Sequence, residues 1–228
     1  MKVYSHPRSG THLLEAFLAK NFVFKKNLLE SIVLWGHWSN RKKRKEGNEY
    51  GKLFGSHEFP DNWIKKVRNP MIYIYRDGRD VAYSVWKTPN FINPKHKGIT
   101  FEKFLDLKID WEGTPAKRAQ PRENIIEHWE RHVQHWNSVK KKRLLVIRYE
   151  NLVNDPEKVY KIILKKFFPL FYLFYILHFF RRKIKIIDKP VGLKPNMAEA
   201  QSWEKNLSKN EKAIILNKIK NKDLLYGQ

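Results

Sequence analysis

Short apolar runs alternate along this chain with longer stretches in which apolar residues recur every three to four positions. That alternation predicts an α/β domain built on a parallel sheet. The candidate strands are Val3–Ser5, Leu53–Ser56, Met71–Tyr75 and Leu144–Arg148. Candidate helices begin near Gly10, Asp80, Arg122, Asp155 and Lys209. Asp80 and Asp155 are expected to cap their helices, with Pro156 suited to a first helical position. Ser208, followed three residues later by Glu211, has the form of a capping box.

Three stretches stand apart. Arg41–Lys45 reads RKKRK and is expected in a loop, and Pro89–Pro121 mixes proline, glycine and charge around a short amphipathic piece, Phe101–Asp110. Phe167–Phe180 reads FFPLFYLFYILHFF and is followed by Arg181-Arg182-Lys183. It is too short to span a bilayer comfortably, and Pro169 interrupts it. The first reading is a helix buried in the core or covered by a partner; interfacial membrane contact is the alternative. No internal repeat or low-complexity linker appears, so residues 1–228 are read as a single domain.

Composition narrows the chemistry. There is no cysteine, which excludes disulfides, thiolate metal sites and cysteine nucleophiles. The net charge of +23 draws the chain to something acidic: a nucleotide, a polyanion or an anionic membrane. A coding bias toward lysine would produce the same excess. Met1-Lys2-Val3-Tyr4 runs straight into a motif without a signal-peptide pattern, so a cytoplasmic location is expected, with membrane association as the variant.

The first motif, Tyr4-Ser5-His6-Pro7-Arg8-Ser9-Gly10-Thr11-His12, reads as strand, tight loop and helix start. Gly10 lets the backbone approach an anion, and loop amides at a helix N-terminus form an anion site. Ser9 and Thr11 add hydroxyls; Arg8 adds a permanent charge. A plain strand-to-helix turn would look similar. GxxxxGK[ST] is absent, which counts against an ATPase or kinase. The second motif, Tyr75-Arg76-Asp77-Gly78-Arg79-Asp80-Val81-Ala82-Tyr83-Ser84, is again strand, turn and helix. A phosphate between the strand end and the helix could meet Arg76 and Ser84. The competing reading pairs Arg76 with Asp77 or Asp80.

PRSGTH resembles the 5′-phosphosulfate loop of the sulfotransferase superfamily. The Arg76/Ser84 frame resembles that family's 3′-phosphate site. Gly55-Ser56-His57-Glu58-Phe59-Pro60 resembles the element that carries its general base. The resemblance implies a three-layer α/β/α fold with a short central parallel sheet, like that of P-loop nucleotide-binding domains. It implies transfer of a sulfuryl group from 3′-phosphoadenosine-5′-phosphosulfate (PAPS), leaving PAP, with no metal. Arg8 would stabilise charge on the departing phosphate, and Arg8, Ser9, Gly10, Thr11 and His12 would hold the 5′ end. Arg76 and Ser84 would hold the 3′-phosphate, and His57 would take the acceptor's proton, with Glu58 as the competing base. Val146–Asp155 resembles the family's RYEDL…DP segment, which places Tyr149 near the adenine. Lys194–Trp203 resembles the loop that closes over the 3′-phosphate, with its glycines missing and Lys194 as the basic residue. The acceptor is unnamed: a glycan, a lipid or a small molecule. Three rivals remain: another nucleotide enzyme, a basic polyanion- or nucleic-acid-binding module, and a sulfotransferase-like protein without activity.

Overall fold

A computed structural model describes residues 2–22, 55–60, 62–88, 98–108, 123–176 and 199–227. The sheet has four parallel strands: β1 (Lys2–Ser5), β2 (Gly55–Ser56), β3 (Met71–Tyr75) and β4 (Leu144–Arg148), in the order β2-β1-β3-β4. β3 and β4 run as the sequence predicts, and β1 starts one residue earlier. Of the predicted Leu53–Ser56, Gly55 and Ser56 pair with Val3 and Tyr4; residues 53 and 54 lie outside the described residues. Every residue of β3 is buried, because helices cover both faces of a central parallel strand.

The helices are α1 (Thr11–Phe22), α2 (Gly78–Trp86), α3 (Phe101–Asp106), α4 (Ile125–Ser138), α5 (Tyr149–Asn154), α6 (Pro156–Phe167), α7 (Pro169–Ile176), α8 (Ser202–Asn206) and α9 (Lys209–Lys218). Strand residues pointing to alternate faces split the core in two. Met71, Tyr73 and Tyr75 face α2, α3, α4, α8 and α9, burying Trp129 and Trp136. Ile72 and Ile74 face α1, α5 and α6, burying Phe17 and Ile163. This is the expected three-layer α/β/α arrangement.

The caps are local chemistry. Asp155 accepts from the Lys158 amide with Pro156 behind it, and Ser208 with Glu211 closes a capping box, both as expected. One helix expected near Arg122 begins at Ile125, where Asn124 and Glu127 form a capping box. The expectation of Asp80 as a cap is corrected: Asp77 caps α2 by accepting from the Arg79 amide, and Asp80 lies inside the first turn. Asp77, two residues past β3 and at φ -48° and ψ 130°, is outside the helical region as a cap must be, which frees Asp80 for tertiary contacts.

The aromatic segment is only partly buried in the core. Pro169 does break it, ending α6 and opening α7. However, α7 is not buried throughout: Leu170, Phe171, Leu173 and Ile176 are exposed. Residues 177–180 and 41–45 lie outside the described residues.

Candidate functional site

β1 and β3 are neighbours and end at the same edge of the sheet, so the loops that follow them lie side by side. Ligands in open parallel sheets bind at such carboxyl ends. After β1, Arg8 has φ 65° and Gly10 φ 87°. Left-handed conformation at a non-glycine residue costs roughly 1–3 kcal/mol and is retained where the surroundings demand it. The Ser9 amide turns back to the His6 carbonyl at 3.2 Å. Thr11, His12 and Leu13 open α1, and first-turn amides have no preceding helical carbonyl to serve them. They are the donors that an anion would take.

Side chains divide the loop further. Ser9 Oγ is buried without a hydrogen-bond partner, a polar atom waiting for a ligand oxygen. Thr11 differs from expectation: its hydroxyl is tied to the Ser5 hydroxyl, so the residue offers its amide rather than an unengaged side chain. His12 turns to Glu15, with Nδ1 3.4 Å from the carboxylate. A Cβ added to Gly10 would fall 2.2 Å from Cδ2 of Tyr149, inside any tolerable contact. Glycine is therefore required for both its dihedral and its space.

The loop after β3 arrives from the other side. Arg8 Nε donates to Ser84 Oγ at 2.9 Å, joining the first motif to the last residue of the second. Burial, and then the nearby Arg76, lower the Arg8 pKa below its ordinary value. Two guanidiniums held near each other at strand ends mark a place for an anion. Arg76 lies over the Tyr149 ring, 4.5 Å from its centroid, so Gly10, Tyr149 and Arg76 form one packed row.

Arg76 is also an ion-pair partner, as the competing reading proposed: it meets Asp80 Oδ2 at 3.2 Å. It donates as well to the Glu199 carbonyl at 2.8 Å. Asp80 in turn accepts from Ser202 Oγ at 2.7 Å and the Trp203 amide at 2.9 Å. The end of the C-terminal loop thus docks on the second motif through Asp80. Trp203 is stacked against Arg79, 3.9 Å from guanidinium carbon to ring centroid. Lys194 lies outside the described residues. Asp77 binds Arg79 and the Tyr226 amide, which fixes the chain's end beneath the same turn.

His57 is buried beside β1. Its Nδ1–H donates to the Ser5 carbonyl at 2.8 Å, which places the basic lone pair on Nε2. Burial lowers its pKa to about 4, partly offset by the Ser5 hydrogen bond. Glu58 is exposed.

Behind His57 lies a set of buried residues that sequence reasoning missed. His6 Nδ1–H donates to the Pro7 carbonyl at 2.8 Å, so its Nε2 accepts from His128 Nδ1–H at 2.9 Å. His132 accepts from Tyr73 Oη at 2.9 Å and donates through Nε2 to the His57 carbonyl at 3.3 Å. Burial holds His6, His128 and His132 well below the usual imidazole range, His128 at about 3. The one signal in the sequence is the spacing of His128 and His132, a helical turn apart. Among the described residues no group of three or more His, Asp or Glu is arranged to hold a metal ion.

Comparison with known proteins gives a family and a fold. Residues 2–167 match the family model described as Sulfotransferase domain. No curated protein sequence matches the chain. Among solved structures, a mouse sulfotransferase complexed with PAP superposes with a TM-score of 0.55 at 19% identity, covering 98% of this chain and 84% of that one. Retinol dehydratase complexed with retinol and PAP gives 0.57 at 17% identity, covering 99% of this chain and 82% of that one. These likenesses show the fold.

Proposed function

Because the chain belongs to the sulfotransferase-domain family, we propose that it transfers a sulfuryl group from PAPS to a hydroxyl or amine of its acceptor. The observation that carries this reading is the Arg8–Ser84 contact, which joins the two phosphate motifs at one sheet edge. The solved neighbours named above were crystallised with PAP, and their fold is the fold seen here.

The residues present fit that nucleotide. Ser9 Oγ is a buried hydroxyl without a partner, and Gly10, which has no Cβ, lets the Tyr149 ring pack against the loop. The donor supplies the sulfuryl group and a phosphate leaving group. The amides of Gly10, Thr11 and His12 hold the 5′ end, with Ser9 Oγ. Arg8 stabilises the negative charge that grows on the departing phosphate oxygen. Ser84 and Arg76 bind the 3′-phosphate, with Asp80 orienting the Arg76 guanidinium. Tyr149, packed between Gly10 and Arg76, forms the wall against which the nucleoside lies. Lys194 adds a cation from the C-terminal loop.

His57 Nε2 takes the proton from the attacking acceptor oxygen or nitrogen. The Ser5 carbonyl keeps Nδ1 protonated throughout, so the lone pair stays on the reactive nitrogen. Like phosphoryl transfer, the step rests on positioning and charge stabilisation rather than on a covalent intermediate with the protein. Solved neighbours carry retinol or androsterone beside PAP. For this chain the acceptor class is left at a glycan, a lipid or a small molecule.

Calorimetry tests the reading. PAP, ADP and AMP are titrated into the protein and into Arg76→Ala. Binding that requires the 3′-phosphate and weakens in the variant supports it. Equal binding of the three nucleotides, or none, overturns it and favours the polyanion-binding alternative.

A further inference from the structure

All five large apolar side chains that stand exposed among the described residues lie on one pair of helices. They are Ile162 on α6 and Leu170, Phe171, Leu173 and Ile176 on α7. Single exposed apolar residues are ordinary; their concentration in one place is not. Leu170 is 69% and Phe171 58% exposed, so these side chains stand out from the surface rather than lining its edge.

The helix beneath them is anchored. Phe168, Tyr172 and Tyr175 pack against the core formed by α1, α5 and α6. Phe168 stacks on Phe22 with ring centroids 5.9 Å apart, and Tyr175 Oη donates to Glu157 at 2.9 Å. α7 therefore presents a fixed apolar face. No helix among the described residues is long and apolar enough to span a membrane.

Charge decides between occupants. Lys165 and Lys166 are exposed at the end of α6, immediately before α7. Lys161 is engaged by Glu157 at 2.8 Å, and Glu157 also accepts from Tyr175 of α7. A second copy laid on this face would set lysines against lysines on chains that each carry +23. A nucleic acid would satisfy the lysines and leave the apolar side chains in water. An anionic bilayer satisfies both, because acyl chains take the apolar face while headgroup phosphates meet the lysines.

We infer that the outer face of α7, with Lys165 and Lys166 at its border, is a peripheral docking surface for an anionic lipid bilayer. The helix lies in the interface, with Leu170, Phe171, Leu173 and Ile176 inserted between headgroups. This inference is independent of the sulfuryl-transfer reading.

Vesicle co-sedimentation tests it, using the full chain with phosphatidylcholine vesicles and with vesicles that also contain phosphatidylglycerol. Capture is expected on the anionic vesicles only and should weaken as salt is raised. Leu170→Asp combined with Phe171→Asp should lower the partition coefficient about tenfold or more. Lys165→Glu with Lys166→Glu, which leaves the apolar face intact, should remove the preference for anionic lipid. Circular dichroism and thermal melting check that each variant is folded. Equal capture on both vesicle types, no capture, or unchanged capture of both variants overturns the inference. So does a dimer, seen by light scattering, that the aspartate pair dissociates while vesicles capture nothing; the face would then join two copies.

Discussion

Arg8 and Ser84, 76 residues apart in the chain, are joined by a hydrogen bond of 2.9 Å from Nε to Oγ. Arg8 leaves the strand in a left-handed conformation, and Ser84 faces it from the second turn of α2. Neither group reaches the other unless β1 and β3 are adjacent and parallel, as their pairing from Lys2–Met71 to Ser5–Ile74 makes them. The contact fixes the Arg8 guanidinium, and such preorganisation is what the proposed role in transition-state stabilisation would require.

Arg8→Ala is expected to lower kcat by about 10²–10³, the scale of losing one transition-state donor. Ser84→Ala removes a phosphate contact and also the hydrogen bond that holds Arg8, so it should raise the KM for PAPS and lower kcat by less than Arg8→Ala does. Steady-state kinetics on both variants check the split. Unchanged turnover in Arg8→Ala would sink its role.

The pH dependence of the rate should carry the mark of His57. An ordinary imidazole titrates near 6.5, whereas burial lowers this one to about 4. The base is then neutral across the physiological range, and kcat/KM should not decline as pH falls through 6.5. The acid limb is expected near pH 4, or at the onset of unfolding if that comes first. His57→Gln should keep PAP binding and lose turnover by about 10²–10⁴. A limb centred near 6.5 that vanishes in this variant would show that the imidazole is solvated.

Acid stability follows from the same burial. His6, His57, His128 and His132 all have folded pKa values depressed below 6.5. Between those values and 6.5 the unfolded chain binds protons that the folded chain refuses. Stability is therefore fully present above about pH 6.5 and is lost as pH falls toward 4. The slope should correspond to several protons, and His128→Gln should reduce it by about one. Denaturant melts at a series of pH values measure this directly.

Glu150 acts in the opposite sense. Its Oε1 accepts from the Asp77 amide at 2.8 Å, while Oε2 is buried without a partner. Burial raises its pKa from 4.5 to about 7. Between these values the folded chain keeps a proton that the unfolded chain has lost, so stability falls as pH rises through the window. Above about pH 7 the whole cost of the buried carboxylate stands, on the order of 3 kcal/mol. Glu150→Gln retains an acceptor for the Asp77 amide and removes the charge. Its melting temperature should exceed the parent's at pH 8.5, with a smaller gap at pH 5.5. A gap independent of pH would contradict the assignment.

Much of this protein is written locally and can be read without a fold. The strands Met71–Tyr75 and Leu144–Arg148 are continuous apolar runs because both faces of the sheet are covered. The caps at Asp155 and Ser208 are short-range hydrogen bonds between side chain and amide. The tight turn at Gly10 and the arginine that follows β3 are likewise legible as short motifs. Tertiary structure decided the rest, because it depends on which distant groups are brought within a hydrogen bond. Asp80 is a helix cap by pattern; in the fold it gathers Arg76, Ser202 and Trp203. Thr11 is an anion donor by pattern; in the fold its hydroxyl goes to Ser5. The buried histidines come from the loop after β1, the segment after β2 and α4, and apart from the helical spacing of His128 and His132 no periodicity in the chain relates them. How far the aromatic helix is buried is likewise a property of neighbours: Phe168, Tyr172 and Tyr175 pack on the core, while Leu170, Phe171, Leu173 and Ile176 stand exposed.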